Sequence, residues 1–336
     1  MNNKTNIIVT LLFAASCAFV SCDDWTDVES IGIKQPGIEE QNPELYTKYL
    51  ENLRQYKADT EHKKVYAWFD NSEKNPASRA QHITSLPDSI DIVGLMYPSE
   101  LTTFEKEEIT ILRQKGTKVV YTISYDDIKT QYEDHISTQS QSETESTFDA
   151  FLKKEVEKQL AYAEPFDGII VKYVGQNPKY MNEEDKAIYT EMQNIFLNAM
   201  LTWKSQNSNK VLSFEGKPQN LIDKNILNNF LHIIIDAFQI TNETELNLSI
   251  LECLETNVPT DRFIIAVSSP SSDGTEGFWG TAEAIIESAY WTTTESNIYI
   301  KAGIAINNVQ YDYYRTNGTY RTVRETINIM NPAPVK

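Results

Sequence analysis

The chain is predicted to fold as a (β/α)8 barrel, on three observations. Short apolar runs rich in Val, Ile and aromatic residues recur eight times from Lys63 onward. Amphipathic helical patterns separate them. The chain of 336 residues also exceeds the ~250 that such a barrel takes, leaving room for a leader and a tether. Runs that are apolar at nearly every position read as parallel strands covered on both faces, not as half-exposed antiparallel ones. A doubly wound open sheet is the runner-up, but no Gly-rich phosphate loop follows the first run.

In chain order the strands are Lys64–Phe69, Ile90–Tyr97, Lys118–Tyr125, Gly168–Val174, Val211–Glu215, His232–Phe238, Arg262–Ser268 and Ala302–Asn307. Apolar residues at helical spacing predict helices over Glu100–Lys115, Glu145–Ala163, Asn182–Gln206, Leu221–Asn228, Glu243–Thr256 and Ala282–Trp291. A lead-in helix is predicted over Pro43–Tyr56. Two segments read as long loops. Asp126 to Thr144 is polar and follows the third strand. Ser268 to Gly280 follows the seventh and sets the pair Phe278-Trp279 among Gly and Ser. Three regions result: a leader (1–21), a tether with its lead-in helix (22–60) and the barrel (61–336).

The leader has Lys4 followed by an apolar stretch, Ile7 to Val20, too short to span a bilayer. It ends Phe19-Val20-Ser21-Cys22, similar to a bacterial lipobox. That similarity implies cleavage before Cys22, diacylation of its thiol and anchorage in outer-membrane lipid. Asp23, Asp24 and Asp27 follow at once and resemble a surface-export signal of Bacteroidetes lipoproteins, implying display on the cell exterior. With Cys22 lipidated, Cys253 has no partner for a disulfide and reads as a small buried apolar residue. The net charge of −18 excludes nucleic acid as a partner, since phosphates demand a basic stripe. The four His show no metal-ligand spacing and no G-x-S-x-G elbow occurs. Neither a metal nor another cofactor is therefore expected.

The most informative stretch is Asp167-Gly168-Ile169-Ile170-Val171-Lys172-Tyr173-Val174. It resembles the signature strand D-G-x-D-x-D-x-E of glycoside hydrolase family 18, the chitinases and endo-β-N-acetylglucosaminidases. Alternate strand residues face the barrel interior, so that motif aims a line of acids at the mouth. Here the line is Ile170, Lys172 and Val174. Family enzymes use the last acid as proton donor and the preceding one to position the substrate acetamido group, which itself attacks the anomeric carbon. Val174 holds no proton to give, and Lys172 is a cation where the family needs an anion. No catalytic residue is therefore assigned. An inward lysine needs an acid, and Glu215 or Asp236 is expected to supply it.

The similarity extends further, to Glu39-Glu40-Gln41-Asn42-Pro43, Tyr49-Leu50-Glu51-Asn52-Leu53, Trp68-Phe69-Asp70-Asn71, Val309-Gln310-Tyr311-Asp312-Tyr313 and Ile329-Met330-Asn331-Pro332. These resemble family 18-like lipoproteins of gut Bacteroidetes. The resemblance implies a non-catalytic surface protein that captures N-acetylglucosamine-containing glycans, such as N-glycans, beside an outer-membrane glycan import complex. Sugar rings stack on aromatic faces while their hydroxyls need amides and carboxylates. At predicted strand ends and in the loops that follow them, such groups are Trp68, Asp70, Asn71, Tyr97, Tyr125, Phe238, Gln239, Trp279, Asn307 and Tyr311. Two other functions compete: an active endo-glycosidase with relocated acids, such as Asp70 and Glu215, and a scaffold subunit of the import complex with no glycan site.

Overall fold

The structure, a computed structural model, describes residues 37–138 and 147–333. The leader, Cys22 and the stretch 139–146 lie outside the described residues. Residues 1–47 and 48–336 form two units. The described part of the first holds a helical turn, Ile38–Gln41, and the start of the helix Pro43–Ala58.

In the second unit eight parallel strands close into a barrel. They are β1 (Lys64–Phe69), β2 (Ile92–Leu95), β3 (Lys118–Ser124), β4 (Gly168–Tyr173), β5 (Val211–Gly216), β6 (Ile233–Asp236) and β7 (Phe263–Ser268). A short hairpin, β8 (Phe278–Trp279) and β9 (Ala282–Glu283), precedes the eighth, β10 (Lys301–Asn307). The order is β1-β10-β7-β6-β5-β4-β3-β2, and β1 closes the ring by pairing with both β10 and β2. Every expected run contains one of these strands, trimmed or extended at its ends.

Strand alternation divides the apolar residues into two layers. Outward-facing Val65, Ala67 and Phe69 of β1, and Ile169, Val171 and Tyr173 of β4, pack beneath the helices. Tyr66, Trp68, Ile92, Val120, Ile170, Ile234, Ile264, Ala266 and Ala305 fill the lumen. Low in the lumen the Tyr66 hydroxyl meets Ser213 Oγ at 2.8 Å and His232 Nδ1 at 2.7 Å, so these buried polar groups are paired. Burial pulls His232 down to about 4, leaving its ring neutral. Gly168 opens β4 where no side chain fits: a Cβ would stand 2.3 Å from the Val211 carbonyl oxygen.

Helices begin where the sequence supplies caps. Thr102 and Glu105 make a capping box at Thr103–Gln114, and Asn182 and Asn242 accept backbone N–H bonds from Asp185 and Glu245. Two expectations fail. Of the expected loop Asp126 to Thr144, the described part, Asp126 to Thr138, is helical, within Tyr125–Thr138. Ser124 Oγ accepts the Asp127 N–H, acids occupy the first turn, and Ile128, Tyr132 and His135 fall on one face. Tyr132 packs on Phe148, and both Tyr132 and His135 on Phe151, so the burying face is aromatic and thinly spaced in a polar sequence. Leu221–Asn228 holds a 3₁₀ stretch, Lys224–Asn229, in place of an α-helix, and a 3₁₀ turn, Pro218–Asn220, precedes it. The β1–β2 crossover likewise holds only 3₁₀ turns, Arg79–Gln81 and Ile83–Ser85. Residues Lys48–Ala58 attach to that flank through Tyr49 to Asp88 (2.5 Å), Arg54 to the Gln114 carbonyl (2.7 Å) and Lys57 to Thr117 (2.5 Å).

Candidate functional site at the barrel mouth

The C-terminal ends of the strands carry a polar ring above the apolar lumen. Lys172 stands one inward step above Ile170 on β4, Glu215 sits beside it on β5, and Asp236 ends β6. The Lys172 ammonium donates to Glu215 Oε1 and lies 3.2 Å from Asp236 Oδ2. Both acids expected as partners are therefore engaged. Lys172 also lies 5.7 Å from the centre of the Phe238 ring. Burial disfavours the ammonium charge, but Glu215 and Asp236 outweigh this and hold Lys172 above the usual lysine range. Glu215 is the most enclosed member, its side chain 4 % exposed against 26 % for Lys172 and for Asp236. Burial pushes its carboxyl up to about 7; Lys172 opposes the rise and Asp236 adds to it. One ammonium facing two carboxylates leaves one negative charge in excess, and the buried glutamate takes up a proton first.

Glu215 Oε2 and Asp236 Oδ1 are buried without a hydrogen-bond partner among the described residues, as is Trp279 Nε1. An unmet buried polar atom costs ~1–3 kcal/mol, so these atoms favour a ligand that supplies donors and an acceptor. Trp279 belongs to the β8–β9 hairpin and lines a cavity of about 150 Å³ with Phe238, Gln239, Ser268 and Glu276. Phe238 thus borders both Lys172 and that cavity.

The remaining residues inferred from sequence divide by environment. Trp68 is buried in the lumen, its indole N–H 3.3 Å from Thr122 Oγ1, and Gly94 makes room for it, since a Cβ there would sit 2.8 Å from the ring. Tyr125 is no platform: it is buried in the outer layer, 4.9 Å from Tyr173 and 5.5 Å from Phe196. Asn71 is buried and fully committed, accepting the Tyr97 N–H at 2.8 Å and donating to the Tyr97 carbonyl and to Glu105. That clamp presents Tyr97, 49 % exposed, on the rim. Asp70 accepts the Ser72 N–H, and Asn307 is half-buried at the end of β10 beside Ser268. Tyr311 is 47 % exposed. Trp279 is half-buried against the core instead of standing free in its loop. Asp70 directly follows β1 and Glu215 lies on β5, strands opposite each other in the ring, so the carboxylate beside Glu215 is Asp236.

Residues not singled out from sequence also shape the mouth. Asp126 accepts the N–H groups of Val174 and Gly175, at 2.7 and 3.1 Å, fixing the turn that leaves β4. Its signal was an Asp directly after a strand, read instead as the start of a loop. Gln310 accepts the Asp70 N–H. Asp167, the first residue of the motif, sits at the far end of β4, where it accepts from Val119 N–H and from Arg113, at 2.9 and 2.8 Å.

A sequence profile described as glycoside hydrolase family 18, BT1044-like, matches residues 26–329. No curated protein matches. Among solved structures, a selenomethionine form of BT1044 superposes with a TM-score of 0.62 at 18% identity, covering 88% of this chain and 95% of that one. An endo-β-N-acetylglucosaminidase from Cordyceps militaris gives 0.59 at 15% identity, covering 84% and 95%. A family 18 chitinase from Pseudoalteromonas aurantia gives 0.51 at 13% identity, covering 78% and 99%. At these identities the superpositions speak for the fold. The family rests on the profile, which spans most of the sequence: the chain belongs to the BT1044-like group of glycoside hydrolase family 18.

Proposed function

We propose that this protein captures a glycan containing N-acetylglucosamine at the barrel mouth and does not cleave it. The observation that carries this reading is the Lys172–Glu215–Asp236 cluster, which puts an ammonium ion where the family motif calls for a carboxylate. Val174, at the position of the proton donor, cannot protonate a glycosidic oxygen. Loss of a general acid alone forfeits ~10²–10⁴ in rate. Binding chemistry remains: unpaired carboxylate oxygens for sugar hydroxyls or an acetamido N–H, the Trp279 indole N–H, and the Phe238 and Trp279 rings for the apolar sugar face. A structure of the Cordyceps militaris enzyme holds fucosyl-N-acetylglucosamine-Asn, which supports the choice of ligand class. The lipobox-like Phe19-Val20-Ser21-Cys22 supports a lipid-anchored position on the outer membrane, facing outward, and work beside a glycan import complex.

A second reading is favoured by Glu215, whose raised carboxyl holds a proton near neutral pH as a general acid must. It makes Glu215 and Asp236 relocated catalytic acids. One experiment separates the two. The processed protein is titrated calorimetrically with N-glycans and chito-oligosaccharides, and the same mixtures are analysed for new reducing ends. Binding without product is expected. Product that disappears in Glu215→Gln establishes the second reading, and absence of both binding and product leaves the scaffold role.

A further inference from the structure

A cavity larger than the one lined by Trp279 stands apart from the mouth. It lies on the barrel flank, has a volume of about 790 Å³, and is bounded by Lys48–Ala58, the β1–β2 crossover and the segment after β10. The β1–β2 crossover supplies only 3₁₀ turns on this flank, and Tyr49 and Leu53 of the stretch Lys48–Ala58 line the space that a barrel helix would otherwise fill.

Its charge is unlike that of the molecule. On a chain of net charge −18, the wall carries Arg79, Lys115 and Arg324 against one carboxylate, Asp88. Asp88 is already engaged, by Lys115 at 2.8 Å and by the Tyr49 hydroxyl at 2.5 Å. His82, also on the wall, is held by Glu108 at 2.6 Å. Neither Arg79 nor Arg324 has an acidic partner among the described residues; the Arg324 side chain donates to the Thr319 carbonyl, at 3.1 Å. Two guanidinium groups without counter-ions on one cavity wall select an oxyanion, which their planar forks can grip with two parallel bonds. The volume exceeds that of a bare anion and falls in the ~300–1,000 Å³ typical of small-molecule sites. Tyr49 and Tyr313 on the same wall offer rings for an apolar sugar face.

We propose that this flank cavity is a second binding site, separate from the barrel mouth, for a saccharide bearing a carboxylate or sulfate group. It does not depend on what the mouth binds. The test uses the processed full chain and three probes, glucuronic acid, N-acetylneuraminic acid and glucose 6-sulfate, followed by NMR line broadening and calorimetry. Wild type is expected to bind at least one of them, with affinity falling about tenfold between ~20 mM and ~500 mM salt as the charges are screened. Arg79→Gln/Arg324→Gln is expected to weaken that binding at least about tenfold, a change of ~1.4 kcal/mol, with its melting temperature and chito-oligosaccharide binding unchanged. Absence of wild-type binding at low salt overturns the proposal. So does undiminished binding by the double variant. Equal binding of inorganic sulfate overturns it too, because a bare anion has no ring for the tyrosines to cover. Chito-oligosaccharides report on the mouth alone, so failure there is distinguishable from failure here.

Discussion

Replacing Lys172 by Met tests the charge cluster at the mouth directly. The variant keeps the length and apolar stem of the side chain but leaves Glu215 and Asp236 facing each other without a cation. Removing one partner of a fully buried pair costs ~3–5 kcal/mol. A quarter of the Lys172 and Asp236 side chains remains in contact with water, 26 % each, so the expected loss is discounted to ~2–3 kcal/mol at pH 8. In a domain of this size that lowers the melting temperature by about 5–10 °C. The pH dependence identifies the cause. Glu215 has a folded pKa of about 7 against an ordinary 4.5. The folded state therefore holds more protons than the unfolded between these values, and stability falls as pH rises through that window. Without Lys172 the pull that lowers this pKa is gone, so the window extends upward and the deficit deepens at pH 8. Near pH 5 Glu215 is protonated in both folded proteins, and the gap should shrink to ~1 kcal/mol or less. Urea unfolding of both proteins at the two pH values measures this. An equal gap at both would refute the reasoning, and so would a variant as stable as wild type at pH 8. Lys172→Met/Glu215→Gln should recover most of the loss.

Three further outcomes follow from contacts. Gly168→Ala drives a Cβ to within 2.3 Å of the Val211 carbonyl oxygen, prising β4 from β5, and should cost about 2–3 kcal/mol by urea unfolding. Asp167→Ala loses the Val119 and Arg113 bonds and should lower stability by ~1–3 kcal/mol without altering glycan affinity, because Asp167 lies at the end of β4 away from the mouth. Trp279→Ala should weaken chito-oligosaccharide binding about tenfold by calorimetry, with Trp279→Phe losing less because it retains a ring.

The barrel was legible because its strands are buried on both faces, so each appears as an apolar run whatever its register. The mouth was legible at Lys172, where an inward charge must find an acid and strand order limits which acids can reach it. The platforms were harder. Alternation tells which residues share a face but not whether that face looks into the lumen or toward a helix. Trp68 and Tyr125 therefore read alike in sequence, yet one fills the lumen and the other packs against Tyr173 and Phe196. The helix Tyr125–Thr138 escaped notice for a related reason: its burying face depends on a few aromatic contacts that the polar residues around it conceal. The flank cavity was only half legible: no helical pattern separates the first two strands, but nothing in the sequence tells that Lys48–Ala58 leaves a space beside that crossover.

The eroded motif is internally consistent, and this bears on whether activity could be restored. Ile170 is buried among the lumen side chains Val120, Ile234 and Ile264. An aspartate at 170 would place a carboxylate in that layer with no cation beside it and only the hydroxyls of its register neighbours Thr122 and Ser213, which already bond Trp68 and Tyr66, so burial would hold it protonated or make it unfavourable. Lys172, one inward step above, supplies the only cation hydrogen-bonded to Glu215 and Asp236 among the described residues; aspartate there would put three carboxylates together at the mouth. Glutamate at 174 alone would supply a proton donor, but an ammonium ion would still occupy the position meant to steady the acetamido group. On the binding role proposed above, Val174→Glu by itself should therefore release no reducing ends from an N-glycan while the protein stays folded. The triple change Ile170→Asp/Lys172→Asp/Val174→Glu should lower stability before it gains any activity. Turnover by Val174→Glu alone would show that Lys172 does not obstruct the reaction, and the mouth would then have to be read as a glycosidase lacking only its acid.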